Sequence, residues 1–488
     1  MNRLAPFLPE NIIEEIHIRS LELLEKVGVV FPSLKVREIL QKGGAITKEK
    51  SELVRFPPQV VDHYLKLSPS EFVVKARSPD KSIRIGKDPP VLAPGYGAPF
   101  IFELNQGRRR GKIKDLINFI KLTHLSGELD CSGGVIVEPQ DMPATTRHLD
   151  ILKALIIYSD KPFMGAVAGK EAALDTLEMA SFIWGGESEL KRNPGVLALI
   201  NTQSPLLYDP KTLEALLEYT SFGQPVIIAP LISAGVSGPV TLLGTIIQHN
   251  AEVLSGVVLA QMIREGSPVI YGAASTCADM RTGGTAIGAP ESSILTSVFS
   301  QMASFYNLPS RGGGALTDSK IPDAQSGYEK MMSLMNTFIS GIDFVLHSAG
   351  ILDSYLTMSY EQFIMDIEMI KIIKRFLSGV NISPEKFAVD VIKKVGPGGH
   401  FLDTEHTSEY FKEELFLPRL SNRETYQMWG SHGCQDTFAR ANQLYKEILE
   451  EYQQPKIEVN LQEKVEEFVE MRKKELQKNF QRMCRRLM

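Results

Sequence analysis

The sequence predicts an α/β protein: a (β/α)8 TIM barrel with an N-terminal α+β extension and a C-terminal helical region. Three observations carry this. Between Pro89 and Gly350 a short apolar run, a Gly- or Ser-rich break and an amphipathic helical stretch recur eight times. Each run is too short for a buried helix and rich in Val, Ile, Leu or Gly. Eight such units in about 250 residues match the size of one barrel.

The extension, residues 1–88, opens with a helix after Pro9 that stops near Gly28. A second helix spans Leu34–Gln41, and a third starts at Pro57-Pro58. Glu71–Ala76 and Ser82–Ile85 alternate as a hairpin around Ser78-Pro79-Asp80-Lys81. This unit is expected to cap the bottom or side of the barrel. The barrel, residues 89–376, takes its strands from Val91–Gly95, Asp130–Val135, Pro162–Val167, Val196–Thr202, Pro225–Pro230, Pro268–Ala273, Leu308–Gly312 and Ile342–Ser348. Its helices are Lys112–His124, Thr145–Tyr158, Glu171–Trp184, Pro210–Phe222, Leu242–Arg264, Pro290–Tyr306, Ala324–Ser340 and Tyr360–Phe376. Parallel strands buried on both faces read as continuously apolar, as Val196–Ile200 does. Residues 377–488 hold further helices around the break Gly396-Pro397-Gly398-Gly399. The last helix, with Leu461, Val465, Phe468, Leu476, Phe480, Met483 and Leu487 at helical spacing, either packs on the body or makes a subunit contact in a homo-oligomer.

Composition narrows the function. Hydrophobic residues make up 43% and charged residues 23%, ordinary for a globular protein. A net charge of −5 gives no electrostatic case for nucleic acid. Cys131, Cys277, Cys434 and Cys484 lack CxxC spacing and fit reduced thiols in a cytoplasm. Neither a signal-peptide core nor a run of about 18 apolar residues is expected, so no membrane role is predicted.

In a barrel, chemistry belongs at the C-terminal ends of the strands. There the chain presents Tyr96, Asn201, Gln203, Ser204, Tyr208, Tyr271, Ser275, Arg311, His347 and Ser348. Aromatics outnumber acids, whereas proton chemistry usually shows paired acids or lysines. Asp279, Asp318 and Asp323 lie further out and read as turn or N-cap residues. The planar fork of Arg311 suits a carboxylate or phosphate, or else an ion pair with a loop Asp. His347 closes the eighth strand and reads equally as structural or functional. Gly312-Gly313-Gly314 reads as backbone turn before phosphate cradle. His400, His406, His432 and Cys434 form a candidate zinc set whose spacing is not that of structural sites. No bound metal is expected.

The stretch from Leu308-Pro309-Ser310-Arg311-Gly312 to Gly327-Tyr328-Glu329-Lys330 resembles the trimethylamine methyltransferase family. So do Asp279–Gly283 with Gly288-Ala289-Pro290-Glu291, Ser204-Pro205-Leu206, and Gly399–Leu402 with His406-Thr407. The likeness covers nearly the whole chain. It implies a barrel enzyme that moves a methyl group from an amine to the cobalt of a separate corrinoid (cobalamin) protein, a transient partner. No cofactor would then be tightly bound. The trimethylamine branch carries pyrrolysine; this chain holds only standard residues. It is similar instead to the non-pyrrolysine branch, which acts on quaternary amines, with glycine betaine favoured.

That departure has a chemical logic. Co(I) attacks an N-methyl carbon directly, and a quaternary ammonium releases a neutral amine, so no general acid is required. Aromatic faces hold such a cation by cation–π attraction, about 0.5–2 kcal/mol per contact. Tyr96, Phe100, Tyr208, Tyr271 and Tyr355 are the candidate cage, with Asn201 and Gln203 beside it. Arg311 or His347 would hold a substrate carboxylate, with His347 the candidate catalytic residue. Two alternatives stay open: a zinc-dependent methyltransferase of another substrate class, and a non-catalytic quaternary-amine-binding protein.

Overall fold

The computed structural model describes residues 6–87 and 89–487, with side chains up to residue 482. The boundary residue Asp88 and the side chains of Met483, Cys484 and Leu487 lie outside the described residues.

Seven short parallel strands form the central sheet, in the order Val91–Leu92, Phe344–Leu346, Ser310–Gly313, Val269–Gly272, Val226–Ile228, Val196–Ile200, Phe163–Met164. This corrects the expected barrel: the sheet is a curved, open half-barrel of seven strands, not a closed ring of eight. The missing strand is the second apolar run, Asp130–Val135. Its backbone touches both edges without forming a ladder. Asp130 and Cys131 N–H donate to the Leu92 carbonyl, Ser132 N–H to Pro162, and Met164 N–H to Gly133. The Asp130 carboxylate accepts the Leu92 N–H at 2.9 Å, taking a donor that a ladder would use. Gly133, at φ +74°, bends the chain out of extended geometry. Lys161 Nζ holds the preceding turn through the carbonyls of Thr123, Ser126 and Leu129 at 2.8, 2.8 and 2.6 Å.

The sheet is apolar on both faces. Leu197, Leu199, Ile227, Ile270, Phe344 and Leu346 pack together on the concave face, while Ile200, Ile228, Val269 and Val345 face the helices. The helices lie close to their expected bounds because their start signals are strong. Asp209 accepts from Lys211 and Thr212 N–H ahead of Pro210–Ser221, Asp323 caps Ala324–Ile339, and Ser359 caps Tyr360–Leu377. The antiparallel pair Phe72–Val74 and Ile83–Ile85 closes the N-terminal end of the sheet, with Val74, Ile83 and Ile85 packed into the concave cluster. Helices Glu10–Lys26 and Pro58–Leu65 pack at the side, on Leu242–Ile263. That last helix is long and apolar enough to cross a membrane, yet it is mostly buried within the protein.

A hairpin not foreseen from the sequence, Phe100–Glu103 with Gly107–Arg110, joins Thr357–Ser359 at the C-terminal end of the sheet. The loops there are tied by buried polar groups. Lys330 Nζ, fully buried, donates to the Ala315 carbonyl and to Asp366, each at 2.9 Å. Asp366 also accepts the Gly350 N–H at 2.7 Å and Gln362 Nε2 at 2.7 Å. The pair therefore links the loops that follow Ser310–Gly313 and Phe344–Leu346. His249, fully buried and stacked on Phe299 at 3.8 Å, bonds through Nδ1 to Ser275, whose hydroxyl donates to the Pro230 carbonyl.

Removing one partner of a buried ion pair strands the other charge, at a cost of about 3–5 kcal/mol. Asp366→Ala is expected to lose stability on that scale, seen as a lowered midpoint in urea unfolding. Burial also holds the His249 imidazole down at about pKa 3. An unfolded histidine titrates near about 6.5. Unfolding therefore takes up a proton between these values. The contribution of His249 is complete above about pH 6.5 and is lost as pH falls toward about 3. Stability measured across that window is expected to fall less steeply in His249→Gln than in wild type, by up to about 1.4 kcal/mol per pH unit.

Candidate active site

Arg311 is the second residue of strand Ser310–Gly313 and pairs in register with Gly272 and Phe344. Its side chain therefore shares the concave face with Phe344, and Gly272 leaves room beside it. The residue is 3% exposed, and its guanidinium donates one hydrogen bond, Nη1 to the Ala273 carbonyl at 3.2 Å. Nε is buried with no partner, and no described carboxylate forms an ion pair with it. Burial draws its pKa down to about 10, so it remains a cation at neutral pH.

Two candidates converge on it. His347 is 6% exposed, its Nδ1 is buried without a partner, and its ring lies 4.7 Å from that of Tyr355. Burial, then the nearby Arg311 and Lys330 cations, hold His347 well below its ordinary value. Its imidazole is thus neutral, and a proton is poorly retained there. Burial pushes the Tyr355 phenol up to about 12. Both residues adopt left-handed backbone, φ +63° at His347 and +77° at Tyr355, with Asp353 and Ser354 at +55° and +50°. Such conformations persist only where surrounding contacts over-determine them. Here the Asp353 N–H donates to the Ser319 carbonyl at 2.7 Å, the Ser354 hydroxyl to Asp318 at 2.6 Å, and Arg108 to Asp353 at 2.9 Å. Asp318 also accepts the Ile287 and Gly288 N–H groups at 2.9 Å. It joins the loops after three adjacent strands. Gly314 permits the closest of these approaches: a Cβ there would lie 2.8 Å from Ser348 Cα.

The other predicted residues separate into groups. Tyr96 packs against the concave cluster, next to Gly134 and Met164, and burial pushes its phenol up to about 12. Asn201 and Gln203 are exposed beyond strand Val196–Ile200. Tyr271 and Tyr208 are fully buried on the other side of the sheet. Tyr271 donates to Asn250 Oδ1 at 3.0 Å; Tyr208 donates to the Glu252 carbonyl at 2.9 Å and stacks on Phe31 at 5.0 Å. Phe100 already carries a cation, with the Arg108 guanidinium 3.7 Å from its ring centre. The four zinc candidates do not converge. His400 faces Asp403 at 3.4 Å and His432 faces Glu424 at 2.8 Å. Among the described residues no three metal-ligating side chains gather. Asp323 caps its helix, as expected, and Asp279 folds back onto Arg281 at 2.7 Å.

Two of the bracing acids, Glu252 and Asp366, escaped sequence reasoning. Glu252 is fully buried and accepts from the Thr202 hydroxyl, the Ser204 hydroxyl at 2.7 Å, the Leu206 N–H at 2.9 Å and Gln248 Nε2 at 3.0 Å. It orders the loop that carries Asn201 and Gln203. A signal existed: Glu252 is the single charged residue of the helix Leu242–Ile263, and a lone buried charge must be satisfied by something. Beside the site, a cleft of about 1090 Å³ opens between the loop Cys277–Ala286 and Asp318, Asp353 and Leu356. Arg311 and His347 do not line it.

The arrangement can hold an anionic group at Arg311, beside a neutral imidazole and the Tyr355 ring. It offers no acid–base pair at that point. The sequence matches the trimethylamine methyltransferase (MTTB) family over residues 2–477. It is 43% identical to the glycine betaine methyltransferase of Desulfitobacterium hafniense (strain Y51), covering 98% of this chain and 99% of that one. It is 34% identical to the proline betaine:corrinoid methyltransferase of Eubacterium limosum, covering 84% and 86%. The monomethylamine methyltransferase of Methanosarcina barkeri shares the fold, with a TM-score of 0.51 at 12% identity over 92% of this chain and 96% of that one. Matched by the family model over residues 2–477 and 43% identical to a relative over 98% of its length, the chain belongs to the trimethylamine methyltransferase family.

Proposed function

We propose that the chain moves a methyl group from a quaternary amine bearing a carboxylate, glycine betaine first among them, to the Co(I) corrinoid of a separate protein. The observation that carries this reading is Arg311, a buried guanidinium with one carbonyl partner and no counter-charge among the described residues. A buried cation is costly unless paired. A substrate carboxylate supplies the missing anion, and two relatives are named for betaines.

The corrinoid supplies a reduced cobalt that attacks the N-methyl carbon. The protein's share is binding, orientation and exclusion of water. Arg311 takes the carboxylate, and His347, as its neutral Nδ1–H tautomer, donates a second hydrogen bond to it. The faces of Tyr96 and Tyr355 receive the trimethylammonium group. Asn201 and Gln203 line the rim through which substrate enters. The leaving group is a neutral amine, so no residue must deliver a proton. That agrees with an imidazole held neutral by burial and by cationic neighbours. A reduced cobalt partner survives in a reducing compartment, which fits a reaction in the cytoplasm.

The test follows consumption of reduced cobalt spectroscopically, with the corrinoid protein and a panel of glycine betaine, proline betaine and choline. Choline carries the same ammonium group without a carboxylate. Arg311→Ala is expected to raise KM for the betaines about 10- to 150-fold, the loss of a charged hydrogen bond worth about 1.5–3 kcal/mol. Choline should respond little. Equal effects on choline and betaine would refute the carboxylate role. No turnover with any quaternary amine would refute methyl transfer and leave a binding protein.

A further inference from the structure

The pocket at Arg311 is closed. Arg311 and His347 are both buried, and neither lines the cleft of about 1090 Å³ beside them. One short segment touches both spaces. Asp353, Ser354 and Leu356 line the cleft, while Tyr355 among them sets its ring 4.7 Å from that of His347. Residues 353–356 form the tip of a hairpin. In its stem Ile351 pairs with Met358 and Leu352 with Thr357, and all of these side chains are buried. At the base the Gly350 N–H is fixed on Asp366 at 2.7 Å. The stem is therefore a rigid mount, and any movement belongs to the tip.

Tip and stem differ in how they are held. Asp353, Ser354 and Tyr355 take left-handed backbone in succession, at φ +55°, +50° and +77°, and none is glycine. Each such residue weights its conformation down by about five-fold or more. What opposes this is polar and faces the cleft. The Asp353 and Ser354 N–H groups donate to the Ser319 and Thr317 carbonyls at 2.7 and 3.3 Å. The Ser354 hydroxyl donates to Asp318 at 2.6 Å, and Arg108, with its side chain 42% exposed, pairs with Asp353 at 2.9 Å. Water can replace each of these bonds, so each contributes about as much as one strained residue costs. Leu356 is exposed and adds no apolar anchor. Strain and tethers nearly balance, which is the condition for a segment with two accessible positions. Relaxation of the tip toward extended backbone, on its fixed stem, lifts Tyr355 from His347.

We infer that residues 353–356 are a gate between the cleft and the Arg311 pocket, closed by Tyr355 on His347 and opened when the tip releases residues 317–319. The inference rests on the reading of Arg311 as the substrate's anchor: a substrate held in a sealed pocket must be uncovered for the second reactant to meet it.

His347 reports the gate. Diethyl pyrocarbonate acylates a neutral imidazole, and its reaction at each histidine of the full-length chain is followed by peptide mass spectrometry. His249, fully buried, is the reference for general unfolding. In the wild type His347 is expected to react faster than His249. Ser354→Pro cannot take the closed backbone, because the ring holds φ at about −65°. It is expected to raise the ratio of the His347 rate to the His249 rate about ten-fold or more. Arg108→Met removes a tether from outside the tip and is expected to raise the ratio about two- to five-fold. Saturating glycine betaine is expected to lower it in the wild type. Equal reactivity of the two histidines in the wild type, or a ratio unchanged in both variants, would overturn the gate. Variants that open the pocket while glycine betaine protects nothing would overturn instead the reading of Arg311 as anchor.

Discussion

A cation without a counter-charge among the described residues is the constraint around which this active-site candidate is arranged. Arg311 sits on a central strand, facing an apolar concavity, with a single carbonyl as its hydrogen-bond partner. Such a placement costs stability unless a ligand repays it. Its consequences reach the neighbours. The cation, added to burial, keeps His347 neutral. A neutral imidazole is a hydrogen-bonding group and not an acid. The site is thereby suited to gripping an anion, as the proposed carboxylate-bearing substrate requires.

The rim loops are fixed by three acids, Glu252 and Asp366 buried and Asp318 half-buried. The strands are two to five residues long, too short to position long loops by themselves. Glu252, Asp318 and Asp366 take over that task, each accepting backbone N–H groups from one or more rim loops. A carboxylate with two oxygens can gather several donors from segments far apart in sequence. The left-handed residues 353–355 and His347 are held where Asp318 and Asp366 anchor the surrounding chain. Rigid scaffold, braced loops and an unpaired cation form one causal series.

Much of the architecture was legible in the residues. Helix bounds followed Pro210 after Asp209, the Asp323 cap and the Ser359 cap, because these act locally. Seven apolar runs became strands for the same reason. Asp130–Val135 failed because a side-chain carboxylate competed for the Leu92 N–H, a contact 38 residues away that no local pattern records. The places of Arg311 and His347 at strand ends were legible. Which of the aromatics face the concavity was not. Tyr271 and Ile270 are adjacent on one strand and point to opposite faces, and both faces are apolar. Without alternation, periodicity cannot say which side looks into the concavity. Phe100 was obscured differently, by Arg108 arriving through an unforeseen hairpin.

By itself, then, the sequence determined the alternating strand–helix order, the capped helix ends and the family, since these depend on local chemistry and on motifs read in line. Tertiary structure decided that the sheet stays open at seven strands, which tyrosines face the concavity, and that Arg311 has no acidic partner among the described residues. Each of those outcomes is a balance between groups distant along the chain, struck only when burial removes water as the alternative partner.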